Sequence, residues 1–117
     1  MRFRNALVLV FAVGLAVPVA ADRRSDAKAQ LEFGISIAQK GIWPGATYRF
    51  EKAVELDPTY AAAWNDLGIG YEQQGKFDEA RNAYEKAIAL DPKNTFIKQN
   101  YDFFREIYDR QKSRRGR

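Results

Sequence analysis

The chain has 117 residues, 46% of them hydrophobic, and a formal net charge of +4 at pH 7. It contains no cysteine and no histidine, which excludes disulfide staples, thiol nucleophiles, the commonest general base and the usual zinc ligands. That length suffices for one small domain, whose stability must come from packing alone.

Taken in chain order, the first segment is "MRFRNALVLVFAVGLAVPVAAD". Arg2 and Arg4 precede an apolar run from Ala6 to Val17, and small residues follow. Val19 and Ala21 stand where a signal peptidase needs compact side chains for cleavage after Ala21. This layout predicts a secretory signal peptide over residues 1–21 and an exported, periplasmic product. The alternative is an uncleaved membrane anchor over residues 6–21. That stretch holds Gly14 and Pro18 and falls short of the roughly 20 apolar residues that a spanning helix needs. No cysteine follows the run, so a lipid-modified N-terminus is excluded. Setting Arg2 and Arg4 aside lowers the net charge by two, so the high pI belongs partly to this segment.

Residues 22–26 read as a short linker. From Ala27 the chain repeats itself: "FEKAVELDP", from Phe50, returns as "YEKAIALDP", from Tyr84, at an offset of 34 residues. Aligning residues 27–60 with 61–94 pairs Gly34 with Gly68, Gly41 with Gly75, Ala46 with Ala80, Ala53 with Ala87 and Pro58 with Pro92. A fixed period marks stacked supersecondary units, because one unit cannot bury its own apolar face and a neighbouring copy can. Each unit reads as two helices, the first pair near residues 27–39 and 44–56. In the second unit Trp64, Leu67, Gly68 and Tyr71 share one helical face, and Phe77, Ala80, Tyr84, Ala87 and Ile88 share the next. Gly75, and Gly41 by the same logic, can supply the left-handed residue that ends a first helix. Pro44 is tolerable in a first turn, and Leu-Asp-Pro ends each second helix, because the residue before proline disfavours helical dihedrals. Gly34/Gly68, Ala46/Ala80 and Ala53/Ala87 are the expected close crossings, with Phe50 or Tyr84 filling the space beside them.

Beyond the second unit the pattern changes. Asn94 or Thr95 can cap a fifth helix over residues 95–111, whose Ile97, Tyr101, Phe104 and Tyr108 form a stripe suited to covering the open end of the second unit. Asp102 stands where the crossing glycine would be, which suits a terminal helix with nothing to cross. Residues 112–117, "KSRRGR", read as a basic disordered tail. It carries no interleaved aromatic, so no nucleic-acid contact is expected and any membrane contact should be weak or transient.

The pattern "W..LG..Y...G.F..A...Y..A....P" from Trp64 to Pro92 resembles the tetratricopeptide repeat. The first unit is a weaker copy, with Gln30, Phe33 and Ile37 at three of the family's signature positions. The resemblance implies an all-α superhelix of two helix-turn-helix repeats plus a C-terminal capping helix. It also implies that the first helix of each unit lines a concave groove where peptides or partner helices bind. By position that places Lys28, Leu31, Glu32, Ile35 and Gln39 in the groove from the first unit. The second contributes Ala62, Asn65, Asp66, Ile69 and Gln73, and the fifth helix Phe96, Asn100, Phe103 and Ile107. Some family members grip the carboxylates of chaperone tails with Lys, Asn and Arg; here those positions hold Leu31, Ile35, Asp66, Phe96 and Asn100. That clamp is absent, and Asp66 would repel a carboxylate. Ile35, Ile69 and Phe103 occupy equivalent positions, an expected apolar line across the groove.

No catalytic, cofactor or metal site is expected. Asp78 and Glu79 sit in a first helical turn, where negative charge complements the helix dipole. Glu51, Glu55 and Glu85 read as outward-facing, and Ser25, Ser36 and Ser113 have no base nearby in sequence. The expected function is therefore a non-catalytic protein-interaction module binding a peptide or helix of another protein. The alternative is a self-associating assembly element whose apolar fifth helix meets a second copy of the chain.

Overall fold

Periodic apolar stripes broken by Gly-containing turns and Leu-Asp-Pro stops become five helices. The computed structural model describes Gly14 and residues 19–116, with α1 (Val19–Gln39), α2 (Trp43–Leu56), α3 (Ala61–Gln73), α4 (Phe77–Leu90) and α5 (Thr95–Arg115). The expected signal segment over 1–21 lies almost wholly outside the described residues. No described helix is long and apolar enough to cross a membrane.

Two helical hairpins stack, α1 on α2 and α3 on α4. Helix α2 joins them by packing on α3, and α5 lies on α4 with an edge against α3. The described residues contain no strand, and the fold is an all-α superhelix of helical repeats. Each hairpin turns at a left-handed glycine, Gly41 at φ 75° and Gly75 at φ 73°, a region that L side chains enter only with strain. Around them the Gly41 N–H donates to the Ala38 carbonyl at 2.8 Å, and the Lys76 N–H donates to that of Tyr71 at 2.9 Å. Orphan carbonyls at both helix ends are thereby satisfied.

Within each hairpin the helices cross at a glycine. A Cβ placed on Gly34 would lie 2.6 Å from Phe50 Cε1, and one on Gly68 would lie 2.9 Å from the Tyr84 ring. A third crossing joins the two units: a Cβ on Gly70 would lie 2.5 Å from Thr47 Oγ1 of α2. Its counterpart in the first unit is Ser36, which is exposed and donates its hydroxyl to the Phe33 carbonyl at 2.7 Å. Among the described residues no further helix pair stacks on α1, and Ser36 meets no close approach there.

The end of the stack is closed by α5. Asn94 Oδ1 accepts from the Phe96 and Ile97 N–H groups, satisfying two orphan donors of its first turn. Ile97 and Phe104 are fully buried, and Phe104 packs 5.2 Å, centroid to centroid, from Tyr84. Tyr101 and Tyr108 flank the same cluster. Their hydroxyls donate to Glu85 at 3.0 Å and to Asp78 at 3.0 Å, so Glu85, read from sequence as merely outward-facing, ties α4 to α5.

Two boundaries differ from the expectation. Residues 22–26 are helical rather than a linker, and from them Arg24 reaches across to the α2–α3 turn. Its guanidinium pairs with Asp57 and lies 4.4 Å from the centre of the Tyr60 ring. That guanidinium, with the Thr59 hydroxyl, holds the Asp57 carboxyl below its ordinary range. At the other end, α5 continues to Arg115 rather than fraying into a tail at 112. Lys112, Arg114 and Arg115 occupy its last turn, where positive charge offsets the partial negative charge of the helix C-terminus.

Candidate functional site

Leu31, expected in the groove, is core: it is 6% exposed and packs with Ala27, Phe50 and Ala53. It falls on the same side of α1 as Ala27 and Gly34, the side that meets α2. Asn65, also expected there, is buried between α3 and α5. Its amide nitrogen donates to Asp66 Oδ1 at 3.2 Å, and its carbonyl oxygen accepts from Asn100 Nδ2 at 3.1 Å. Both Asn65 and Asn100 therefore serve the junction of the two helices.

Beside that junction lies a cleft of about 420 Å³ between α1 and α3. Ile35, Ala38 and Gln39 line it from α1, and Asp66 and Ile69 from α3. Trp43 and the buried Phe50 of α2 complete it. Four expected groove residues, Ile35, Gln39, Asp66 and Ile69, are thus brought together. Ala38, Trp43 and Phe50 were not anticipated there; Phe50 was expected only to fill space beside the helix crossing. Ile69 has a double role, since its partly buried side chain also packs against the Ala80, Tyr84 and Phe104 cluster.

The cleft is apolar apart from Gln39 and Asp66. Burial pushes the Asp66 carboxyl up to about 6, against a smaller opposing effect of the Asn65 hydrogen bond. Desolvation penalises the charged form, and no neighbouring cation compensates.

The other expected groove residues lie outside the lining of this cleft. Phe103 lines a separate hollow of about 570 Å³ on α5, together with Phe96, Asp102 and Glu106. On a 3.6-residue helix these side chains lie away from the Ile97–Phe104 stripe that docks on α4. Phe96 is 64% exposed and Phe103 59%, with Ile107 also exposed. The expected line of Ile35, Ile69 and Phe103 therefore divides into a pair and a single residue. Gln73 is exposed on α3, and neither it nor Ile107 borders the α1/α3 cleft.

A second apolar cleft, of about 670 Å³, lies between α3 and α4, bordered by Trp64, Leu67, Tyr71, Ala83 and Lys86. Two of its polar groups are engaged: Trp64 Nε1 donates to the Pro58 carbonyl at 2.8 Å, and the Tyr71 hydroxyl donates to Glu51 at 2.8 Å. Among the described residues, no cluster of three or more acidic side chains is arranged to hold a metal ion.

Residues 61–94 match the family model described as tetratricopeptide repeat, and residues 37–75 match another described as TPR repeat. These matches support a tetratricopeptide repeat protein. No curated protein matches the chain. Among solved structures, the Arabidopsis OM64 TPR domain is similar with a TM-score of 0.70, covering 77% of this chain and 74% of that one at 20% sequence identity. At that identity the likeness shows the fold: stacked antiparallel helix pairs in the order α1 to α5. Tetratricopeptide repeats suggest a protein–protein interaction scaffold, typically without enzymatic activity.

Proposed function

We propose that the chain is a non-catalytic interaction module that holds a peptide segment or helix of another protein in the α1/α3 cleft. The observation that carries this reading is the convergence of Ile35 and Ile69, equivalent residues of successive repeats, on one cleft with Trp43 behind them. Burying one such side chain against a ligand contributes roughly 1.5–3 kcal/mol, and Gln39 and Asp66 supply the polar groups that give direction. Ile35→Ser tests it. The side chain is exposed, so the variant should fold, and peptides that bind the chain should lose most of their affinity. Undiminished binding would move the working surface elsewhere.

The charged start, short apolar run and small residues of positions 1–21 support export to the cell envelope, with cleavage after Ala21. Amino-terminal sequencing of protein recovered from the envelope tests this, and a retained Met1 in the membrane fraction favours the uncleaved anchor. A second reading, self-association through α5, draws on the exposed Phe96 and Phe103 in one hollow. Light scattering over a concentration series decides it: a mass that stays monomeric removes that reading.

A further inference from the structure

The α1/α3 cleft contains one charge and no countercharge. Asp66 is its single ionisable side chain, set among Ile35, Ala38, Trp43, Phe50 and Ile69. Asn65 Nδ2 donates to Oδ1 at 3.2 Å, and no protein donor reaches Oδ2 among the described residues. None of the ion pairs among those residues involves Asp66. The groups facing it from the packed helices are uncharged. Gln39 comes from α1. Asn100 of α5 approaches through Asn65, and from α4 comes the Tyr84 hydroxyl, itself donating to Glu72 at 2.7 Å.

A carboxylate in such a place is disfavoured as long as it stands alone, and burial raises its pKa to about 6 accordingly. The same low-polarity walls that disfavour the lone charge strengthen its attraction to a cation that enters. One carboxylate is too few protein ligands for calcium or magnesium, which take six or more oxygens, and the cleft has no His or Cys for zinc. A primary ammonium or guanidinium group needs only this one acceptor, and Gln39 of the same cleft offers an amide oxygen as a second. Its aliphatic stem would lie along Ile35 and Ile69, as lysine and arginine stems do on apolar surface.

We propose that the α1/α3 cleft selects partner segments carrying a lysine or arginine between apolar side chains, with the Asp66 carboxylate as countercharge and Ile35, Ile69 and Trp43 receiving the flanking groups. This inference rests on the reading of the cleft as the peptide-binding surface. It adds the sign of the charge that the surface prefers.

The test is fluorescence anisotropy of the full chain with short labelled peptides, acetylated and amidated, that differ only in a central residue: Arg, Lys, Gln or Glu between leucines. The Arg and Lys peptides should bind at least about tenfold more tightly than the Gln peptide, and the Glu peptide most weakly. Asp66→Asn should erase the difference between Arg and Gln while retaining the apolar affinity. Ile35→Ser should weaken every peptide, and thermal melts of both variants confirm that they fold. Equal affinities for Arg, Gln and Glu peptides in the unmodified chain, still lost in Ile35→Ser, would overturn the charge preference and leave the cleft reading standing. Affinities that Ile35→Ser does not change would overturn the cleft reading itself. An absence of binding by all four peptides at about millimolar concentration, below the affinity useful for recognition, would overturn both.

Discussion

Asp66→Asn should stabilise the folded chain, because it removes an uncompensated charge from an apolar cleft. The Asp66 carboxyl is raised by burial from its ordinary 3.8 to about 6. Each pKa unit is worth about 1.4 kcal/mol of difference between protonation states, so the ionised carboxylate costs at most about 3 kcal/mol at neutral pH. Asparagine keeps an acceptor oxygen for Asn65 Nδ2 and carries no charge to desolvate. The expected gain is therefore about 1–3 kcal/mol at pH 7, which in a domain this size raises the melting temperature by about 5 °C or more. The pH dependence has a definite direction. Because the folded pKa lies above the unfolded one, the folded state holds the proton more tightly, and stability falls as pH rises between them. The penalty is absent below about pH 3.8 and fully developed above about 6. Urea unfolding of both proteins, followed by circular dichroism from pH 7 down to pH 4, gives the difference with other carboxylates cancelled. The variant should lead clearly at pH 7 and lose most of that lead by pH 4. An equally or less stable variant at pH 7, or a gain constant with pH, would refute the burial of an uncompensated charge.

The helix crossings make further expectations. Gly68→Leu should lower stability by about 1–3 kcal/mol or more, because even a Cβ meets the Tyr84 ring at 2.9 Å. Asp102→Leu, exposed at the equivalent position of α5, should cost far less; comparable melting losses would contradict the unpartnered face of α5. Gly70→Ala should destabilise through contact with Thr47 Oγ1, a buried hydroxyl without a hydrogen-bond partner. Adding Thr47→Ala should recover part of that loss, and a simple sum of the two single effects would contradict the direct contact. Ile69→Ser should lower the melting temperature, because the side chain also packs on the Ala80, Tyr84 and Phe104 cluster. Phe103→Ser should barely change it, and equal losses would mean that Phe103 is core.

Much of the fold was readable in one dimension because it rests on local rules repeated at a fixed spacing. Gly41 and Gly75 announce left-handed turns, Asp57-Pro58 and Asp91-Pro92 announce helix stops, and Asn94 announces a cap. Each depends on backbone geometry within a few residues. The crossings at Gly34 and Gly68 were readable too, because the period places a small residue opposite a large aromatic in both units. Within the candidate site, Ile35, Gln39, Asp66 and Ile69 were reached by position in the repeat. Their neighbours were not. Trp43 and Phe50 enter the cleft from α2 only once α1 has folded back on it. Leu31 leaves the groove for the core because a register of about 100° per residue cannot say where a groove ends and a packed interface begins. Other contacts join residues far apart in the chain and answer to no period: Arg24 to Asp57, Asn65 to Asn100, and Gly70 beneath Thr47. The separation of Phe103 from Ile69 is of the same kind. It depends on how α5 seats its Ile97–Phe104 stripe against α4, and only packing in three dimensions sets that angle.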